Sequence, residues 1–334
     1  MNRFAPVTPA REFRVVSSAG TPLHVEVHGP EGAPTVVLSH GWTCSTLFWA
    51  PVVRDLAADH RVVLYDQRGH GRSAAPGRDG YSTTALADDL EAVLDAAVDR
   101  GERVLLAGHS MGGMTIMAAA DRPAVRDRAA AVLLANTGAG GLVAEATVLP
   151  LRAGALRHAL QKAVLSSALP LGPISAVSRA ALKYGTMGPD SAKDAVQACA
   201  RLVHACPRRV RAGWGRMLAA LEVEANLVHL TAPTAVLTST VDRLTPPVLA
   251  RRIADALPNC VGVTELPGLG HMTPLEDPDA VVGLLRKLSA DHLSAGHLSA
   301  GRPSADRPRG AAVPRAAASE PVTATAPVAE GENA

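Results

Sequence analysis

The chain has 334 residues, 47% hydrophobic and only 3% aromatic, enough for one large or two small domains around a buried sheet whose core is Ala, Val and Leu. Its net charge of +2, with no basic patch interleaved with aromatics, excludes nucleic acid as a partner and is too small to point to an anionic membrane. Cys44, Cys199, Cys206 and Cys260 have neither metal-ligand spacing nor a C-x-x-C; with no apolar leader after Met1 and no apolar stretch of the ~20 residues a bilayer needs, a cytoplasmic protein with reduced thiols and no transmembrane segment is expected.

In chain order, Phe13 to Ser18 and Leu23 to His28 read as strands of an antiparallel hairpin, joined through Ala19-Gly20-Thr21-Pro22. Thr35-Val36-Val37-Leu38-Ser39 is the third strand, followed by His40-Gly41-Trp42. A helix over Trp49 to Ala58 and a strand over Arg61 to Tyr65 come next. Asp66 through Ser73 is then a tight glycine-containing loop that reads as a brace for a site rim. Thr83 to Val98 is a helix with Leu86, Leu90, Val93, Leu94 and Ala97 on one face.

The fifth strand, Arg103 to Ala107, runs into Gly108-His109-Ser110-Met111-Gly112 and a small-residue helix. G-x-S-x-G between a strand and a helix is a nucleophile elbow, a sharp turn that lifts the serine hydroxyl above the sheet. Side chains at Gly108 and Gly112 would collide with backbone in so tight a turn. A serine hydroxyl is a weak nucleophile near neutral pH and needs a base, and the base needs an orienting acid.

After the strand Ala131 to Ala135 the chain offers Asn136-Thr137 and no carboxylate. The alternation of strand and helix stops between Thr137 and Leu230, where helical periods are broken by Pro150, Pro170, Pro173, Pro189 and Pro207. This stretch is the expected cap, with Trp214, Met217 and Leu218 the candidate pocket group. Strand Thr234 to Ser239 presents Asp242 in the loop before a Pro-started helix, as candidate acid; an Asx turn at the same residue is compatible with that role. His271 sits in Pro267-Gly268-Leu269-Gly270-His271-Met272, between the last strand, Val261 to Leu266, and a helix with Asp277 as N-cap and Pro278 as first residue. It is the candidate base. The backbone N–H groups of Trp42 and Met111 are the candidate oxyanion donors, and His40 reads as a loop brace. After about Ala290 a repeated His-Leu-Ser-Ala-Gly and an Ala/Pro/Thr-rich run predict a disordered tail.

Taken together, His40-Gly41-Trp42, Asp66-Gln67-Arg68-Gly69-His70-Gly71-Arg72-Ser73, Gly108-His109-Ser110-Met111-Gly112-Gly113, Asp242 and His271 occur in the order of the α/β-hydrolase superfamily, which the chain resembles over Arg11 to Ala290. Within it the chain is similar to the short HG-x esterases, non-haem haloperoxidase-like and lipase-like proteins. The resemblance implies an α/β fold with a mostly parallel eight-stranded sheet, helices on both faces and an inserted helical cap. The expected organisation is a core of 1–137 and 231–290, a cap of 138–230 and a tail of 291–334.

The expected activity is a serine hydrolase cleaving a moderately apolar carboxylic ester through an acyl-enzyme, with Ser110, Asp242 and His271 as triad. It needs no metal or organic cofactor. Its partner is a small-molecule ester, and the oligomeric state is left open. Perhydrolysis, thioester hydrolysis and C–C bond hydrolysis use the same triad and stay open as alternatives. C–C hydrolases of this kind usually carry Asn where His109 stands. A non-catalytic ligand-binding protein on the same scaffold is the alternative of another class.

Overall fold

The computed structural model describes residues 2–77 and 80–293. Strands β1 (Arg11–Ser17), β2 (Thr21–His28) and β3 (Thr35–Ser39) lead into helix α1 (Ala50–Leu56) and β4 (Arg61–Tyr65). Helix α2 (Thr83–Ala97), β5 (Val104–His109), α3 (Met111–Ala118), α4 (Pro123–Arg128) and β6 (Ala129–Ala135) follow. Between β6 and β7 (Thr234–Ser239) lie α5 (Leu142–Glu145), α6 (Ala155–Leu165), α7 (Ala176–Thr186), α8 (Lys193–Ala205) and α9 (Arg208–Leu218). The chain then forms α10 (Pro247–Ala256), β8 (Cys260–Leu266), α11 (Thr273–Glu276) and α12 (Pro278–His292).

The eight strands form one sheet in the order β1-β2-β4-β3-β5-β6-β7-β8. Pairings with β1 and β2 are antiparallel and all others parallel. The central strands are continuous apolar runs because both faces are covered. Their period of two sorts the side chains between two cores. Val37, Val63 and Leu106 pack with Leu86, Leu90 and Met114 under α2 and α3, whereas Val36, Leu64 and Leu105 pack with Trp49, Leu56 and Leu285 under α1 and α12.

Parallel pairing puts the carboxyl ends of β3 and β5–β8 on one edge: Ser39 lies opposite Gly108, His109 opposite Ala135, Ala135 opposite Leu237 and Ser239 opposite Leu266. Every loop that carries a candidate site residue leaves from that edge.

Asp277 caps α12 by accepting from the Ala280 N–H at 3.0 Å, with Pro278 as first helical residue. The helix runs to His292. Leu288, Ser289 and Leu293 are buried, and the Ser289 hydroxyl lies 2.9 Å from His60 Nε2. Burial, not local propensity, carries the last turn. The predicted disordered tail falls, beyond Leu293, outside the described residues.

The Asp66–Ser73 loop is tied down by a buried ion pair. Arg68 Nε donates to Asp89 Oδ2 of α2 at 2.7 Å, with the two side chains 1% and 0% exposed. Removing one partner from such a pair strands the other charge in a low-dielectric interior. Asp89→Ala should therefore lower unfolding stability by about 3–5 kcal/mol. Asp88→Ala, which breaks the part-exposed pair with Arg122, should cost no more than about 1 kcal/mol. Urea denaturation of both variants checks this, and equal small losses would contradict the description of the Arg68 pair.

Candidate active site

Ser110 sits between β5 and α3 with φ 53° and ψ −118°, a region that side-chain-bearing residues rarely adopt. The conformation is over-determined. The Ser110 N–H donates to Ala135 O at 2.9 Å, and its carbonyl accepts from Met114 N at 3.1 Å and Thr137 Oγ1 at 2.7 Å. A Cβ on Gly108 would overlap the Gly112 carbonyl, and one on Gly112 would overlap Ser39 O of β3. Both glycines are therefore required for β3, β5 and α3 to approach this closely.

Asp242, in the loop after β7, is buried and uses both carboxylate oxygens. Oδ1 accepts from the Leu244 and Thr245 N–H groups, each at 2.9 Å, which is the Asx turn. Oδ2 accepts from His271 Nδ1 at 2.9 Å, Thr245 Oγ1 at 2.8 Å and Asn136 Nδ2 at 3.0 Å. Burial pushes this carboxyl up, but the His271 imidazole beside it and the donors from His271 and Thr245 outweigh burial and hold it below the usual range.

His271 is fixed through its backbone. Its N–H donates to Thr186 O of α7 at 2.8 Å, and its carbonyl accepts from His109 Nε2 at 2.7 Å. Its ring lies 4.8 Å from the His109 ring. Ser110 and His271 line the same cavity; among the described residues the Ser110 hydroxyl makes no hydrogen bond to the imidazole. Such contacts often tighten only with substrate.

The loop after β3 packs Gly41 against Ser110 and brings Trp42 to the wall of the same cavity. Neither the Trp42 N–H nor the Met111 N–H donates to an acceptor among the described residues outside the helix ladder. Met111 is also the first residue of α3, where backbone donors have no intrahelical partner and the helix dipole favours negative charge. His40 braces this loop: Nδ1 donates to Gly41 O at 2.8 Å, Nε2 accepts from Gln67 N at 3.0 Å, and the Gln67 amide donates to His40 O. His70 Nε2 accepts from Thr43 N at 3.2 Å, and Asp66 accepts from Thr46 N at 2.7 Å and Arg72 N at 2.9 Å.

The cavity containing Ser110 has a volume of about 280 Å³ and an almost wholly apolar wall that includes Met114, Leu142, Leu149, Leu165, Leu182 and Val203. Of the predicted pocket group, Leu218 lines it. Trp214 does not: it is fully buried, donates Nε1 to Arg68 O at 3.1 Å and stacks edge-on against Tyr81. Met217 packs against the core below the sheet face. A larger cavity of about 430 Å³ lies near Pro6–Pro9 and is lined by Glu26, Asp66 and Arg72, away from Ser110 and His271.

Three contributors were not singled out from sequence. Asn136, where an acid was sought, instead donates to Asp242 and accepts from Thr273 Oγ1 at 2.7 Å. Its φ of 44° is one that Asn tolerates. Thr245, three residues after Asp242, and the elbow-motif residue His109, for its hold on the His271 loop, are the others. The buried thiols Cys44, Cys199 and Cys206 are all pushed up by burial, the last two to about 12, so they are poor nucleophiles.

A model of the alpha/beta hydrolase family matches residues 36–284. The chain is 34% identical over 253 residues to a Variovorax paradoxus (strain S110) protein named "Putative carbamate hydrolase RutD", covering 75% of this chain and 89% of that protein. Among solved structures it is similar to the esterase RhEst1 from Rhodococcus sp. ECU1013, with a TM-score of 0.69, 27% identity and coverage of 84% of this chain and 99% of that one. It is likewise similar to the enol-lactonase from Burkholderia xenovorans LB400, with a TM-score of 0.61, 26% identity and coverage of 83% and 100%.

The buried imidazoles make stability pH-dependent. Burial lowers His40 to about 4 and His70 and His109 to about 3. In the unfolded chain each titrates near ~6.5, so below that pH the unfolded state binds more protons. Folding stability should fall as pH drops from about 6.5 toward 4, each imidazole contributing up to about 1.4 kcal/mol per pH unit. Melting temperature measured from pH 7.5 down to 4.5 tests this; a flat profile would mean these rings are charged or solvated in the fold.

Proposed function

The chain belongs to the alpha/beta hydrolase family and is a hydrolase, and we propose that it is a serine hydrolase cleaving an apolar carboxylic ester through an acyl-enzyme. The observation that carries this reading is the Asp242–His271 hydrogen bond at the wall of the cavity that also contains Ser110 on its strained turn.

His271 Nε2 takes the proton as Ser110 Oγ attacks the ester carbonyl, while Asp242 Oδ2 holds the Nδ1–H tautomer and stabilises the imidazolium. The N–H groups of Trp42 and Met111 stabilise the oxyanion. His271 then protonates the leaving alcohol and later activates the deacylating water. Asn136 and Thr245 keep the Asp242 carboxylate ionised and aimed, and His109 holds the loop that carries His271. The helices of 138–230 act as a cap on the core of 1–137 and 231–290.

The apolar wall supports an aliphatic or aromatic acyl or alcohol group, since a polar substituent there would lose its hydration without a partner. A second reading rests on the carbamate hydrolase name of the 34% identical relative: the same triad would open a carbamate through a carbamoyl-enzyme.

Ser110→Ala should abolish labelling by a fluorophosphonate and lower kcat on the order of 10⁶. Asp242→Asn should lower kcat on the order of 10⁴ with the fold intact, because it favours the wrong imidazole tautomer. Labelling that persists at another serine would overturn the nucleophile, and near-normal turnover of Asp242→Asn would overturn the acid. A panel of p-nitrophenyl esters of increasing chain length beside N-alkyl carbamates separates the two readings. Faster turnover of the esters, rising with acyl length, is expected; preference for carbamates would select the second.

A further inference from the structure

Nine of the fourteen large apolar side chains that are exposed among the described residues lie within residues 151–184. They follow helical spacing. Leu156, Leu160 and Val164, 68%, 42% and 61% exposed, form one stripe of α6. Val177 and Tyr184 form another along α7, and Leu169 and Leu171 stand on the connection between them. Only Gln161 of α6 is buried, and its amide, donating to Val143 O and Ala146 O, pins the helix while leaving its apolar stripe unpartnered.

The charge on this segment is one-sided. Residues 146–189 contain Arg152, Arg157, Lys162, Arg179 and Lys183 and no aspartate or glutamate. Among the described residues none of these five forms an ion pair, and the segment holds no acid that could supply one. The segment also meets the Ser110 cavity. Val164 and Leu171 line that cavity and are 61% and 44% exposed, so its apolar wall continues onto the outer face.

We propose that the outer face of α6, α7 and the connection between them docks on an anionic lipid surface, so that apolar molecules dissolved there enter the Ser110 cavity without crossing water. Exposed aliphatic stripes beside unpaired cations fit an interfacial helix pair, in which the apolar groups insert and the cations meet lipid phosphates. A second copy fits the face less well. A two-fold contact would set the same cations against each other with no acid to relieve them. No helix among the described residues is long and apolar enough to cross a membrane, so the attachment is peripheral. The docking itself does not depend on the reading of Ser110 as nucleophile.

The test is flotation of the full chain with vesicles of phosphatidylcholine alone or with about one third phosphatidylglycerol. Recovery with the anionic vesicles should be at least about ten-fold higher, and should drop at ~1 M salt, where the Debye length is ~3 Å. Leu156→Ser/Leu169→Ser/Val177→Ser and Arg152→Glu/Lys162→Glu should each lose this binding while keeping the wild-type melting temperature. Ser110→Ala should float like wild type, which separates docking from turnover. The proposal is overturned if wild type does not float or if both surface variants float unchanged. It is also overturned if sedimentation shows a dimer that the same variants dissociate without any vesicle binding.

Discussion

The site depends on one backbone conformation, Ser110 at φ 53° and ψ −118°. A residue with a Cβ stays there only if its surroundings leave no alternative. Here β5 enters from below, α3 begins at the next residue, and Ala135 O and Thr137 Oγ1 take the remaining polar groups of the turn. Close contact with β3 completes the clamp, since Gly112 lies directly against Ser39 O. The same contact that constrains the turn brings the loop after β3 against the serine, with Gly41 packed on Ser110 and Trp42 lining the same cavity. Strain at one residue and convergence of three loops are thus a single packing event.

Around that turn the protein uses buried polar groups as rigid spacers. His40, Gln67, Thr115 and His70 form a chain of hydrogen bonds between the loop after β3, the loop after β4 and α3. Asn136, Thr245 and Thr273 do the same around Asp242. Each such group is costly to bury alone and inexpensive once partnered, so these hydrogen bonds favour one arrangement and penalise the rest. The neutral state of His109 follows from the same burial, and it spares Asp242 and His271 a neighbouring positive charge that would compete for the carboxylate.

Charge on this chain is informative only when it is resolved by region. The total of +2 averages a surface of mixed charge with a segment, 146–189, of five cations and no acid. Hydropathy behaves alike. The apolar stripes of α6 and α7 have ordinary amphipathic spacing, and amphipathic spacing alone means a buried face far more often than a docking one.

By itself the sequence determined the strands, the main helices of the core, the elbow, and Ser110, Asp242 and His271 as candidates, because each rests on local rules: short apolar runs of strand length in β3 to β7, the glycines of a sharp turn, and a strand end followed by a loop. Asp277 and Pro278 marked the start of α12 for the same reason. What only the tertiary structure decided is which face of each cap helix meets what. The spacing of α9 allowed Trp214, Met217 or Leu218 to face the cavity, and packing against Tyr81 and Arg68 turned Trp214 away and left Leu218 there. The end of α12 at His292 was set by burial of Leu288 and Leu293, and the partnership of Asn136 with Asp242 by the juxtaposition of β6 and β7. Local periodicity fixes where a side chain lies on its own helix or strand; which neighbour that side meets is set by contacts between residues tens to hundreds of positions apart, and these carry no short-range signature.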